Sequence, residues 1–292
     1  MMGSQEIPLC FECAGEASIG IVHAPIQPKR RGILMIIAGG PQYRAGVGRQ
    51  LVIIARSFAS QGTPVMRFDY RGTGDSSGEH LDFEEMGPDL DAAIHAFMQT
   101  VPSVTEIILW GGCNAASAVL MDGPNNPHVT GMIISNPWVH SEAIHQKALR
   151  QYYLRRLTQK SFWIKFVTFK INPIKILLST LFGNRDKITE KPETLIRSKR
   201  QPFQTRMLIG AQKFQGKILL IISGRSVVSQ EFKALVASNS AWRHALKRDG
   251  VTWKEFSDAN QTFSTNAARN NLINTAVAWL DDWSRDVTPP PI

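Results

Sequence analysis

Short runs that are apolar at nearly every position recur along this chain, and each ends on residues that turn. They are GILMIIAGG (32–40), TPVMRFDYRG (63–72), EIILWGG (106–112), VTGMIISNP (129–137) and GKILLIISG (216–224). A strand that is apolar throughout needs cover on both faces, and parallel sheets flanked by helices supply it. Between the runs the spacing turns helical. RQLVIIARSFASQG (49–62) ends on Gly62 as a C-cap, and GPDLDAAIHAFMQTV (87–101) carries acidic residues in its first turn. A helical stretch is predicted from Ser229 to Arg248, a last strand in VTWKEF (251–256) and a final helix from Asn266 to Trp283, before a solvated TPPPI tail. Leu9 to Val22, with Gly15 inside, reads as a β-hairpin. Strands alternating with helices predict an α/β fold with a mostly parallel central sheet and helices on both faces.

Ligands of such sheets sit beyond the carboxyl ends of the strands. The informative loops are therefore those after Ala38, Tyr70, Trp110, Asn136, Gly224 and Phe256. After Trp110 the chain reads Gly111-Gly112-Cys113-Asn114-Ala115. Small residues on both sides of a thiol, at a strand-to-helix corner, suit a nucleophile elbow. The N–H groups of the following helix would favour a thiolate and a developing oxyanion. A small buried residue at a tight joint would give the same pattern. After Ala38, AGGPQYR offers a second oxyanion donor, Gly40 or Gln42, beside the N–H of Asn114.

The chain of 292 residues is 43% hydrophobic, long enough for one large domain with an insertion or for two domains. Its three cysteines do not make a disulfide framework, and the Cys10-x-x-Cys13 pair lies in a strand-like stretch without a second pair or a histidine cluster. No metal site and no cofactor is expected. The N-terminus lacks the pattern of a signal peptide, and no run of eighteen apolar residues occurs, so the expected setting is reducing and cytoplasmic. The net charge of +9 is concentrated. Residues 138–214 hold 16 Lys/Arg and 4 Asp/Glu, whereas the remainder holds 17 and 20. No nucleic-acid-binding module accompanies this excess, which argues against a nucleic-acid partner.

Several of these stretches together resemble one family. GGPQYRAGVGRQ (39–50), MRFDYRGTGDSSGE (66–79), WGGCNAASA (110–118), SNPWV (135–139) and TFS (262–264) resemble the α/β-hydrolases, and among them the exosortase A system-associated hydrolases of type 1. The Asp69-x-Arg71-Gly72-x-Gly74-x-Ser76 stretch is a hallmark of that fold, expected to pin its loop beside the site. The resemblance implies an α/β-hydrolase core over 1–137 and 215–292 and a helical cap insertion over 138–214. It also implies a cysteine nucleophile, here Cys113, and a role near bacterial exopolysaccharide production. The family pattern places an aspartate after ILLIISG, where this chain has Ser226 or Val227, and a histidine in Asp-His-Thr-Phe, where it has Gln261. Val47-Gly48 stands for Ser-His, and Asn114 for an aspartate. Glutamine accepts no proton at neutral pH, and serine holds no imidazolium by charge.

No histidine follows His244, which lies mid-helix in SAWRHALKRDG. His140 and His145, with Glu142 as an acid, follow SNPWV and either approach the mouth of the site as a rescue relay or pack within the insertion. The insertion mixes basic and apolar residues at near-helical spacing, broken at Asn172-Pro173. It reads as a cap with a solvated basic face, or as one that also lies on an anionic membrane surface at the inner face of the membrane. Three functions remain open: a cysteine-dependent acyl or ester (thioester) hydrolase or acyltransferase with an impaired relay, taking a small acyl- or ester-bearing substrate; a non-catalytic relative that binds such a ligand; and a peripheral scaffold of an export system.

Overall fold

A computed structural model describes residues 3–37, 42–140 and 201–285. Most of the 138–214 insertion lies outside them, as do Gly40, Glu142, His145, the Asn172-Pro173 break and the Pro-rich tail. Eight strands form one sheet in the order β1-β2-β4-β3-β5-β6-β7-β8. They are β1 (Ser4–Cys13), β2 (Glu16–Pro25), β3 (Arg31–Ile36), β4 (Val65–Asp69), β5 (Glu106–Gly112), β6 (Val129–Ser135), β7 (Lys217–Arg225) and β8 (Val251–Asn260). Pairs from β4 through β8 are parallel, while β1/β2 and β2/β4 are antiparallel. The predicted hairpin is longer than its pattern suggested, and it turns on Ala14 (φ 50°) and Gly15 (φ 82°). Two positive φ angles give the twist that a two-residue hairpin needs.

The helices are α1 (Gln50–Ala59), α2 (Gly87–Thr100), α3 (Cys113–Asp122), α4 (Phe203–Lys213), α5 (Val227–Ser238), α6 (Ser240–Lys247) and α7 (Asn266–Arg285). Successive side chains of a strand point to opposite faces, so each central strand feeds two cores. Leu34, Leu109, Met132 and Leu220 pack with Phe97 of α2, Met207 of α4 and Phe232 of α5. Ile33, Ile108, Ile133 and Leu219 pack with Phe58 of α1 and Ala276 of α7. β8 is an edge, and Glu255 and Asp258 on it pair with Lys233 and Arg225, which blunts it against further strand pairing.

One prediction needs correction. The helical stretch from Ser229 to Arg248 is two helices, because Asn239 leaves helical geometry (φ −124°, ψ 119°) and its Oδ1 accepts from the N–H groups of Ala241 and Trp242. That side chain caps α6 and so ends α5. Within the described part of the insertion, α4 lies against α3. A Cβ on Gly210 would overlap the Leu120 carbonyl oxygen, so only glycine allows this approach.

Candidate active site

Cys113 is the first residue of α3, and its φ is 52°. A non-glycine residue in the left-handed region costs about 1–3 kcal/mol and persists only where its surroundings impose it. Here they do. A Cβ on Gly111 would meet the Ala115 carbonyl carbon and oxygen at 2.7 Å, so the strand and helix join closer than any side chain permits. Trp138 N–H donates to the Cys113 carbonyl at 3.1 Å, and Ser117 Oγ donates to the Trp138 carbonyl at 2.7 Å. The segment after β6 is thereby laid over the corner.

The sulfur faces a cavity of about 190 Å³. Ile37, Leu51, Ile54, Trp110, Phe263 and Leu272 line its apolar part, and Gln42, Gln50, Ser135 and Gln261 its polar part. Among the described residues, no charged side chain lines it. Gln261 Nε2 lies 3.5 Å from Cys113 Sγ and donates to it. The residue at the expected histidine position thus meets the thiol as a donor. The Asn114 N–H also points at the sulfur. The Asn114 N–H at the start of α3 favours the thiolate as expected, but burial outweighs it. Burial pushes the Cys113 thiol up, against the bonds from Asn114 and Gln261 that pull it down, and the negative charge of Glu231 adds to the rise.

The remaining predicted residues divide clearly. Gln42 lines the cavity; Gly40, His145 and Glu142 lie outside the described residues. Ser226 is 3% exposed and is the N-cap of α5, its Oγ accepting from Ser229 N–H at 3.3 Å. Val227 opens that helix. His140 does not line the cavity. Its Nδ1 lies 3.3 Å from Glu231 Oε1, and its ring stacks on Trp138.

Two polar networks hold the loops around the thiol. On the β3–β4 side, Asp69 accepts from Arg44 N–H at 2.6 Å and from its guanidinium, and also from Asp75 N–H at 3.1 Å. Arg67 Nη1 donates to the Arg44 carbonyl at 2.9 Å, and its Nε donates to His23 Nε2 at 2.9 Å. Both members of the motif pair hold the loop, but on different partners: Asp69 on Arg44 and Asp75. Arg71 ties the loop to α2, through Asp89 at 2.8 Å.

On the β6–β8 side the hub is Asn136, 1% exposed and with φ 48°. Its Oδ1 accepts from Ser223 N–H at 2.8 Å and Ser229 Oγ at 2.6 Å, and its Nδ2 donates to the Gln261 carbonyl at 3.1 Å. Gln50 Nε2 donates to the Phe263 carbonyl at 2.7 Å and fixes the same loop from α1. Sequence reasoning missed Asn136, Gln50 and Glu231. Only Asn136 had a local signal, an Asn-Pro step at a strand end.

The sheet order, the strained cysteine corner and the loops at the strand ends place this chain beside known proteins. The family described as serine aminopeptidase, S33, matches residues 29–206. This chain belongs to that α/β-hydrolase family. Its fold is similar to the esterase Pf2001 of Pyrococcus furiosus (TM-score 0.62, 11% identity, 96% of this chain and 91% of that one). It is similar to a highly thermostable carboxyl esterase from Bacillus coagulans (TM-score 0.61, 11% identity, 97% and 99%). Est1E from Butyrivibrio proteoclasticus, solved with ferulic acid bound, is a third (TM-score 0.61, 14% identity, 94% and 98%). These likenesses concern the fold. No curated protein matches the chain.

Among the described residues, no helix is long and apolar enough to cross a membrane, and no group of three or more His, Cys, Asp or Glu side chains is placed to hold a metal ion. The basic residues proposed as a membrane-facing surface lie mostly outside the described residues.

Proposed function

We propose that this esterase-like α/β-hydrolase accepts an acyl group on Cys113 from a small ester or thioester and releases it slowly, to water or to an acceptor alcohol or amine. The observation that carries this reading is the left-handed Cys113, at the rim of a cavity with no charged side chain among its described lining residues, with the Gln261 amide on its sulfur. Attack by sulfur forms a thioester and expels the alcohol or thiol. Gln42 and the Asn114 N–H are the donors suited to the oxyanion of that step. Gln261 takes no proton, so the general-base help that a histidine gives there, about 100- to 10,000-fold, is missing at that position.

A second reading, a non-catalytic protein that binds an acyl-bearing ligand, draws on the raised thiol and on Ser226 serving as a helix cap. The resemblance to exosortase-associated hydrolases supports a role beside exopolysaccharide production, in a reducing cytoplasmic setting. Stopped-flow release of p-nitrophenol from p-nitrophenyl butyrate separates the two. An acyl acceptor gives a burst of one equivalent per chain and then a slow phase, both lost in Cys113→Ala. A binding protein gives no burst.

A further inference from the structure

A buried hydroxyl in the Cys113 cavity has no partner among the described residues. Ser135 ends β6 and pairs with Gly112, the end of β5, in the parallel ladder. Two residues earlier stand Ile133 and Trp110, both packed on the side of the sheet that α1 and α7 cover. Alternate side chains of a strand share a face, so Ser135 lies on that side too, where it lines the cavity. It is 9% exposed. Its Oγ makes no hydrogen bond among the described residues. Other buried hydroxyls near the elbow are answered: Ser117 by the Trp138 carbonyl, Ser229 by Asn136 Oδ1 and Ser223 by Ser229 Oγ.

The surroundings keep this hydroxyl available. Gly112 leaves it uncovered, since even a Cβ there would lie 3.6 Å from the Ser135 Oγ. Around it Ile54, Trp110, Phe263 and Leu272 line the cavity, each at most 4% exposed. Phe58 meets the Trp110 ring edge-on at 5.8 Å, and Phe256 meets Phe263 at 5.5 Å, which holds both rings in place. Apolar walls of this kind take hydrocarbon, and a few placed polar groups set specificity. A buried hydroxyl is costly to leave unpaired, so a ligand oxygen that meets it binds with advantage.

We infer that the α1/α7 side of the cavity holds the acyl part of the substrate, and that Ser135 selects acyl groups carrying a hydroxyl on the second or third carbon. This assignment rests on the reading of Cys113 as an acyl acceptor. Gly112 pairs with Ser135 and precedes Cys113, so an oxygen that meets Ser135 stands only a few bonds from the acyl carbon on the sulfur. A ligand hydroxyl suits serine whichever way the serine proton points, because each group both donates and accepts.

The test uses the full chain and three acyl groups: butyryl, 2-hydroxybutyryl and 3-hydroxybutyryl. Their N-acetylcysteamine thioesters report acylation. The bond from Cys113 sulfur to the acyl carbon forms, the probe's acyl–sulfur bond breaks, and N-acetylcysteamine leaves as the thiol with the Cys113 proton. Their N-methyl amides, which do not acylate, report binding by protecting Cys113 from iodoacetamide. Peptide mass spectrometry counts the exposed Cys10 separately. One hydroxyacyl thioester should acylate the wild type about tenfold faster than butyryl does, and its amide should protect at about tenfold lower concentration, the size of one placed hydrogen bond. Both advantages should vanish in Ser135→Ala, which removes only that hydroxyl; circular dichroism checks the fold. Equal handling of butyryl and both hydroxyacyl groups by the wild type, or an advantage that survives in Ser135→Ala, overturns the inference. Hydroxyl-dependent protection without an acyl group on Cys113 from any thioester sinks the acyl reading alone. Acylation by all three groups at one rate sinks the role of Ser135 alone.

Discussion

The two sides of the Cys113 site are held by different chemistry. On the β3–β4 side, ions hold the loops: Asp69 grips Arg44 and the turn at Asp75, while Arg67 reaches both the Arg44 carbonyl and His23. On the β6–β8 side, amides and hydroxyls do the same work, with Asn136 joining Ser223, Ser229 and the Gln261 carbonyl. Both sides keep a loop at the rim of one cavity. The difference teaches that loop geometry and proton chemistry are separable. A neutral network positions residue 261 against the sulfur whether or not that residue can take a proton.

The comparison can be broken most severely on the ionic side. Asp69→Ala leaves the buried Arg44 guanidinium with only the exposed Asp75 carboxylate and its N–H without an acceptor, and removing one partner of a buried ion pair costs about 3–5 kcal/mol. The urea midpoint should fall accordingly, and a change below 1 kcal/mol would deny Asp69 its place as the hub.

The ionic side should also answer to acid. Burial, and then the Arg67 charge, push His23 down to about 4 from an ordinary 6.5. The folded chain therefore resists protonating a group that the unfolded chain protonates readily. Its contribution is complete above about pH 6.5 and is lost as pH falls towards 4, up to about 3 kcal/mol. His23→Gln keeps an acceptor for Arg67 without that titration. Denaturation across this range should show the wild type losing more stability than the variant, and parallel curves would contradict the assignment.

On the neutral side, function should move more than stability. Ser226→Asp with Gln261→His supplies the missing acid and base, and aspartate caps a helix as well as serine does. Ester turnover should rise about 100-fold with the fold unchanged, since that is the lower range of general-base help. No gain would mean that these side chains do not converge on the thiol.

The smallest effect is expected from Asn136→Ala. It removes the partner of the Ser223 N–H and of the Gln261 carbonyl, a loss of about 1–3 kcal/mol by urea denaturation. Hydrogen exchange at residues 261–264 should rise with it. An unmoved loop would shift the hub to Gln50.

The fold was legible because burial on both faces leaves its mark on consecutive residues, as in GILMII and KILLII, and because glycine marks the corners. The elbow was legible for the same reason. Its electrostatics were not: the helix N-terminus promised a thiolate, but desolvation of Cys113 depends on packing from several elements. The Asp69–Arg44 and His140–Glu231 pairs span 25 and 91 residues and leave no local pattern. The break at Asn239 was within reach, since asparagine before a helical run is a cap signal.

The most direct test of the central claim is peptide mass spectrometry on the full chain quenched soon after mixing with p-nitrophenyl butyrate. The expected result is one butyryl group per chain, on the peptide containing Cys113, absent from Cys113→Ala and outlasting the release of p-nitrophenol. An unmodified Cys113, with equal p-nitrophenol release from wild type and Cys113→Ala, would contradict it.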